Sequence, residues 1–382
     1  MNVNCRFPAF LRLAAALSFS VTASAGSDAA LSQRVDAAVR TQMKDQGIPG
    51  VSIAVVRNGR VIKATGYGMA NIELSAPVRP ETIFEAGSIT KQFTASAIML
   101  LVEEGKVGLD DSITKYFPEA PQGWKSITIR HLLTHTSGIP DYWGDTEQNY
   151  YTKGVIDFRR EYTEEELTRA YFAQPLDFQP GEKWSYCNTG YNLLGILIHR
   201  VTGKAYGDFL RERIFAPLHM DATRVFSWTE IVPNRASGYD LVDGVWKNAG
   251  SWMSSTVMTG ADGGLLTNVL DLAKWDAALY SDMVLKRSTR DAMWTPLGLS
   301  TGSASAGAIG WFVADAHGHR ILYHTGGGYG FYADISRYVD DRLTIVVMTN
   351  VDETHTDVLR LVGKIAEIYL PATRGANPVK DW

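Results

Sequence analysis

The strongest hydrophobic signal in the chain lies over residues 82–104, TIFEAGSITKQFTASAIMLLVEE. From Ser96 to Val102 six positions of seven are apolar, and Phe93, Ala95 and Ala97 carry the pattern backward. Such a run predicts a helix buried on most sides. It begins near Ser88, where Gly87 lets the chain turn, and stops at Gly105. A second apolar helix is predicted over 188–201. Helical periodicity also marks 32–46, through Val35, Ala38, Val39 and Met43. Shorter helices are predicted over 128–134, from Thr163 onward with acids in the first turn, and over 206–215, 270–280 and 357–369. Two β-rich runs, 51–56 and 60–66, flank Asn58-Gly59, a hairpin signal. Further strands are predicted over 309–314, 320–324, 331–338 and 343–349, with Asp340-Asp341 turning the last pair.

β-Rich ends therefore flank a helical middle. The predicted fold is α/β plus all-α: N- and C-terminal strands pair in one antiparallel sheet flanked by helices, and a helical domain is inserted. The α/β part is expected at about 26–86 and 306–372, the mainly helical part at about 87–305. Residues 1–25 stand apart. They hold Arg6 and Arg12, no acid, an apolar run over 11–21, and Ala23-Ser24-Ala25. That is the pattern of a secretory leader, too short for a spanning helix. It is excluded from the fold, and it predicts an exported protein, periplasmic or extracellular, with no stable membrane insertion.

The 382 residues carry a net charge of −4 and no basic run, which excludes nucleic acid as a partner. Cys5 lies in the leader, so Cys187 is the single cysteine left and no intramolecular disulfide is available. The core must hold the fold by itself.

Within the oily helix sits one cation, Lys91. A buried lysine is costly and tends to lose its proton. Ser88 lies three residues earlier, one turn away on the same face. A serine beside a desolvated lysine is an activated nucleophile. Two other places supply matching groups. In Tyr186-Cys187-Asn188, Tyr186 can pass a proton if neighbouring cations lower its pKa, and Asn188 can hold both Lys91 and a substrate amide. In His324-Thr325-Gly326-Gly327-Gly328, at a strand end, glycines let a substrate lie along the strand. A backbone N–H there and that of Ser88 can face an oxyanion.

Other candidates carry less. His131 and His135 stand i, i+4 on the 128–134 helix, but the glutamate of H-E-x-x-H is absent, so they read as structural and no metal is expected. Gly298-Leu299-Ser300-Thr301-Gly302 matches the nucleophile elbow of α/β-hydrolases without the strand before it and the helix after it. The aromatic-rich stretch 141–184 either lines a cleft or packs onto the core.

Taken together, FEAGSITKQFTA, LDDSITKYFPE, ITIRHLLTHTSGIPDY, PGEKWSYCNTGYNLLGILIHRVTG, GADGGLLTNVLDLAKW and HTGGGYGF resemble the penicillin-recognising serine hydrolases. That family includes class C β-lactamases, D-alanyl-D-alanine carboxypeptidases, D-aminopeptidases and esterases. The resemblance spans about 31–369. It implies a site between an α/β and a helical domain. In that site Ser88 is the nucleophile, Lys91 and Tyr186 handle protons, and Asn188, His324, Thr325, Gly326 and Gly327 bind substrate. The backbone N–H groups of Ser88 and Gly327 form the oxyanion hole, and no cofactor is needed. Two positions depart from the family: Cys187 stands where serine is commoner, and His324 stands where antibiotic-acting members carry lysine. A histidine is mostly neutral at pH 7, which argues against carboxylate-bearing substrates, with anions favoured only as falling pH protonates it. The expected function is hydrolysis of small esters, or of amides such as D-amino-acid peptides, through an acyl-enzyme. The alternatives are a β-lactamase or carboxypeptidase, and a non-catalytic binder of cell-wall peptide or acyl ligand.

Overall fold

The computed structural model describes residues 20–143, 155–249, 253–296, 298, 299 and 307–375. Ser300, most of its loop, Tyr150, Tyr151 and the leader up to residue 19 lie outside the described residues.

One eight-stranded sheet organises the chain. Its strands are β1 (Gly50–Arg57), β2 (Arg60–Asn71), β3 (Ala76–Pro77), β4 (Gly307–Ala308), β5 (Trp311–Ala316), β6 (His319–Gly328), β7 (Phe331–Tyr338) and β8 (Leu343–Thr349). The order across the sheet is β3-β2-β1-β8-β7-β6-β5-β4. The predicted union of the two chain ends is the β1–β8 pair, antiparallel from Val51 opposite Thr349 to Arg57 opposite Leu343. Asn58 and Gly59 both take positive φ, as the predicted tight hairpin requires. β6 runs four residues past the predicted end at His324, so Thr325 to Gly328 are strand.

Two layers of helix cover the sheet. Successive side chains point to opposite faces. Val51, Ile53, Val55, Ile345 and Val347 therefore pack with Val35 and Val39 of α1 (Ser20–Gln46) and Leu361 and Ile365 of α5 (Val358–Tyr369). Ala54, Val346 and Met348 face a larger core with Phe93 and Ile98 of α2 (Thr90–Glu103), Leu197 of α3 (Asn188–Thr202), and Trp275 of α4 (Val269–Ala278). α1 starts at Ser20 and runs through Ala23-Ser24-Ala25, upstream of the predicted start at 32. Its alanine-rich N-terminal part suits helix.

Three features differ from the sequence expectation. α4, expected in the helical part, packs on β8, β1 and β2. Its polar Asp276 is the reason. Arg337 Nε on β7 and Thr344 Oγ1 on β8 each donate to Asp276 Oδ1 at 2.7 Å, and both charged side chains are almost wholly buried. The guanidinium also lies over the rings of Tyr280, Trp294 and Trp311. The predicted helix 206–215 is α-helical only over Tyr206–Leu210 and widens into a π-helical turn over Arg211–Phe215. A small sheet of Phe84–Glu85, Leu265–Thr267 and Arg224–Val225 was not legible, because strands this short show no alternation. It ties the segment before Ser88 to the glycine-rich turn at 260–264.

Asp276→Ala should cost ~3–5 kcal/mol of stability, because it leaves a buried guanidinium without its counter-charge. Urea denaturation measures this, and a loss below about 1 kcal/mol would mean that the pair does not hold α4 to the sheet. Asp334 on β7 behaves oppositely. It is fully buried; one carboxyl oxygen accepts from Ser336 at 2.7 Å and the other has no partner. Burial pushes its pKa from 3.8 to about 8. The folded state thus holds a proton that the unfolded chain releases. Stability is lost as pH rises from the lower value to the higher and is constant above it. Asp334→Asn should raise the melting temperature at about pH 8 and do so much less at about pH 4. Equal gains at both would sever the effect from ionisation.

Candidate active site

Ser88 occupies a single 3-10 turn, Gly87–Ile89, that runs into α2. The turn presses directly on β6. Gly87 has φ +50°, and a Cβ there would fall 2.4 Å from Gly327 O. A Cβ on Gly326 would fall 1.9 Å from Ala86 O, and one on Gly327 2.3 Å from a Glu353 carboxyl oxygen. The β6 glycines, expected to make room for substrate, here make room first for the serine turn and for Glu353.

Lys91, one turn further on, has no exposed surface. Its Nζ donates to Ser88 Oγ at 3.0 Å, Asn188 Oδ1 at 2.7 Å and the backbone O of Asp262 at 2.8 Å. Three donors meet three acceptors, which is what a buried ammonium requires. Burial pushes its pKa down to about 8, against the opposing pull of Asp262 and Asp141. The amine lies 4.7 Å from the centre of the Tyr186 ring. Tyr186 is hydrogen-bonded to Ser88, yet burial holds its pKa well above 10.0. The lowering by cations on which the sequence makes its proton transfer conditional does not occur: desolvation of the phenolate dominates, and Asp262 and Asp141 add to it. Near neutrality Lys91 is the group that can be neutral, and Tyr186 keeps its proton.

Asn188 opens α3. Its oxygen serves Lys91, while its Nδ2 and its backbone N–H donate to Asp141 Oδ2 at 2.9 and 3.2 Å. Only its second Nδ2 hydrogen remains for a substrate. Asp141 and Asp262 are the functional groups that sequence reasoning missed. Both stand in the quoted segments HTSGIPDY and GADGGLLT, but a lone aspartate near proline or glycine reads as a turn former.

The two histidines do not share a helix. The helix is only Ile129–Leu133, and His135 lies beyond it at φ +59°. His131 Nδ1 accepts from the N–H of Thr128 at 3.2 Å and completes a capping box. His135 Nδ1 accepts from the N–H of Cys187 at 3.0 Å. Its ring stacks on Tyr186 at 4.5 Å and on Tyr191 at 5.1 Å, so it backs the phenol.

His324 stands beside the reactive groups, its ring 6.3 Å from that of Tyr186, but off the cavity wall. It is buried at 2% exposure. Its Nδ1–H donates to Thr325 O at 2.6 Å, and its ring packs on Phe312 at 4.7 Å. Burial, with Lys91 nearby, pushes its pKa down to about 3. A protonated His324 receiving anions at mildly acidic pH is therefore excluded. Thr325 hydrogen-bonds Tyr332. Neither residue, nor Gly326, lines the cavity beside Ser88; Gly327 and Gly328 do.

That cavity measures about 700 Å³. Ser88, Tyr186 and Asn188 form its reactive wall, and Tyr142 and Trp143 another. Trp143 stacks on Tyr329 from the β6–β7 turn, with centroids 5.7 Å apart, so helical and sheet sides touch above the cleft. The aromatic stretch thus divides: Tyr142 and Trp143 line the cavity, while Phe158, Tyr171 and Phe172 pack onto the core. A hydroxyl, a partly neutral amine and a protonated phenol converge at one end. That set can perform nucleophilic acyl transfer.

Comparison with known proteins agrees with this geometry. The family model described as Beta-lactamase matches residues 35–370. Penicillin-binding protein 4* of Bacillus subtilis (strain 168) is 31% identical over 334 residues, which cover 82% of this chain and 72% of that protein. The structure of D-amino acid amidase from Ochrobactrum anthropi SV3, complexed with L-phenylalanine amide, superposes with a TM-score of 0.74. It is 26% identical and aligns over 90% of this chain and 98% of that one. The octameric penicillin-binding protein homologue from Pyrococcus abyssi also gives a TM-score of 0.74. It is 28% identical, over 91% of this chain and 78% of that one. With the fold, the cleft and these matches in agreement, the chain belongs to the Beta-lactamase family and is a serine hydrolase of the penicillin-binding-protein-like fold.

Proposed function

We propose that this protein is an exported acyl hydrolase that uses Ser88 to cleave small esters or amides bearing a free amino group. The observation that carries the chemistry is the wholly buried Lys91 Nζ, 3.0 Å from Ser88 Oγ. Neutral Lys91 takes the serine proton as Oγ bonds to the substrate carbonyl carbon. The bond to the leaving oxygen or nitrogen then breaks, and Tyr186, kept protonated, supplies its proton. Ser88 and Gly327 line the cavity, and their backbone N–H groups are the donors assigned to the oxyanion in this reading. Water then bonds to the acyl carbon and gives a proton to the Tyr186 phenolate; the bond to Oγ breaks, and the Lys91 ammonium returns a proton to Oγ, which restores all three groups. Export rests on the charge and hydropathy of residues 1–25.

The cavity wall supports the substrate class. Asp240, Asp352 and Glu353 lie on it, with Glu85, whose pKa burial pushes up to about 7 against the pull of Arg235, and among the described residues no lysine or arginine lies on it. Such a field opposes a substrate carboxylate and attracts an ammonium. The likeness to an amino acid amidase points the same way. β-Lactams and carboxypeptidase substrates, which carry a carboxylate, fit this wall poorly.

Ser88→Ala should abolish turnover of nitrophenyl acetate and labelling by a fluorophosphonate. Lys91→Ala and Tyr186→Phe should each slow acyl transfer by ~10²-fold or more. Labelling of Ser88 without turnover would identify a binder instead. Lys91 is protonated below about pH 8 and neutral above it, so acylation should climb with pH through that value. For substrate class, the free-amine form of an alanine nitroanilide should be cleaved at least about tenfold more efficiently than its N-acetyl form, the scale of a charge-assisted hydrogen bond. Equal efficiencies would remove the acidic wall from recognition.

A further inference from the structure

Asp262 is the charged group beside Lys91 that the acyl-transfer steps leave unused. It sits in the glycine-rich turn at 260–264 at 4% exposure and borders the cavity. Its backbone O accepts from Lys91 Nζ at 2.8 Å, and its Oδ2 accepts from the Tyr142 hydroxyl at 2.9 Å. Its Oδ1 is buried without a hydrogen-bond partner. The turn allows little relaxation: a Cβ on Gly260 would fall 2.4 Å from that same Oδ1, and one on Gly264 2.6 Å from the Thr259 backbone.

A purely structural role does not call for this charge. An asparagine oxygen could accept the Tyr142 hydrogen bond in the same space. A carboxylate with one donor and an orphaned oxygen is costly to bury unless a cation offsets it. Burial raises the Asp262 pKa above its ordinary value, and Lys91 is the largest influence opposing that rise; Asp262 is in turn the largest influence keeping Lys91 charged against its own burial.

We propose that Asp262 is a positioning residue that holds the resting Lys91 ammonium against Ser88 and so sets how alkaline the medium must be before Lys91 serves as base. The inference rests on the acyl-transfer function proposed above. Every other titratable group facing Lys91 is uncharged or is Asp141. From the segment carrying α3, Tyr186 and Tyr191 keep their protons and burial pushes the Cys187 thiol up to about 12. From the segment after the Ile129–Leu133 helix and from β6, burial keeps His135 and His324 neutral. Asp141 reaches Lys91 through Asn188. Asp262 reaches it through its own backbone, with its carboxylate in the same turn.

The sign follows. An anion favours the ammonium, so removing it should free the amine at lower pH. The test is the rate at which a fluorophosphonate labels Ser88 between about pH 6 and about pH 10, a span that brackets the lysine transition. In Asp262→Asn the midpoint of that rise should move down by about one pH unit, the low end for loss of a neighbouring opposite charge. Tyr142→Phe keeps the ring but removes the donor that stabilises the carboxylate, and it should move the midpoint the same way by less. Should Asp262→Asn not fold, as judged by circular dichroism, Tyr142→Phe carries the test. Rates lowered equally at every pH, with the midpoint in place, would make Asp262 a packing residue and overturn the proposal. A wild-type protein never labelled at Ser88 would instead overturn the acyl-transfer function, and this inference with it.

Discussion

Burial of one ammonium group governs the architecture around the cleft. Lys91 has no solvent, so every donor on Nζ must find a protein acceptor. The three it finds come from three separated parts of the chain: Ser88 on its own turn, Asn188 at the start of α3, and the backbone of Asp262. The elements carrying them have to meet at one point. The glycines at 87 and 326 follow from the same demand, since side chains there would push the serine turn off β6, while Gly327 makes room for Glu353. The small sheet through Phe84–Glu85 and Leu265–Thr267 does the complementary job and binds the turn at 260–264 to the segment before Ser88.

A second buried cation does structural work by the same physics. Arg337 gives its Nε to Asp276 and stacks among aromatic rings, and Thr344 completes the carboxylate. The pair ties α4 to the middle of the sheet. The difference between the two cations is chemical. A guanidinium keeps its charge at any pH a protein meets, so its burial requires a full counter-charge close by. An ammonium can release its proton, and the site around Lys91 is balanced near that point: burial works against the charge while Asp262 and Asp141 favour it. One pair is built to stay ionised, and the other to change state.

Charge also shapes what the cleft receives. The position where antibiotic-acting relatives place lysine holds His324, but the ring is turned into the core against Phe312 and stays neutral. The field on the cavity wall comes instead from Asp240, Asp352 and Glu353, since burial leaves Glu85 only partly ionised near neutrality. Both features oppose anionic substrates, the first by omitting a cation and the second by supplying negative charge.

The sequence by itself determined the elements and the reactive pair. Continuous apolar runs, the Asn58-Gly59 turn and the three-residue step from Ser88 to Lys91 are local, and local patterns fix strand, hairpin and helix face. The pairing of the two chain ends was legible because the long β-rich segments lie there, whereas the Tyr239–Val242 and Val245–Asn248 hairpin in the middle of the chain was not read. Tertiary structure decided what depends on neighbours distant in sequence. The pKa of Tyr186 rose because desolvation acts through all surrounding atoms and because the fold places Asp262 and Asp141 near it. His324 and Thr325 are off the cavity wall because each is held by a neighbour elsewhere, His324 against Phe312 and Thr325 by Tyr332. Asp141 and Asp262 read as turn formers and Asp276 carried no reading, yet all three became partners of buried groups. A carboxylate's role depends on which cation the fold places beside it, and no spacing along the chain records that.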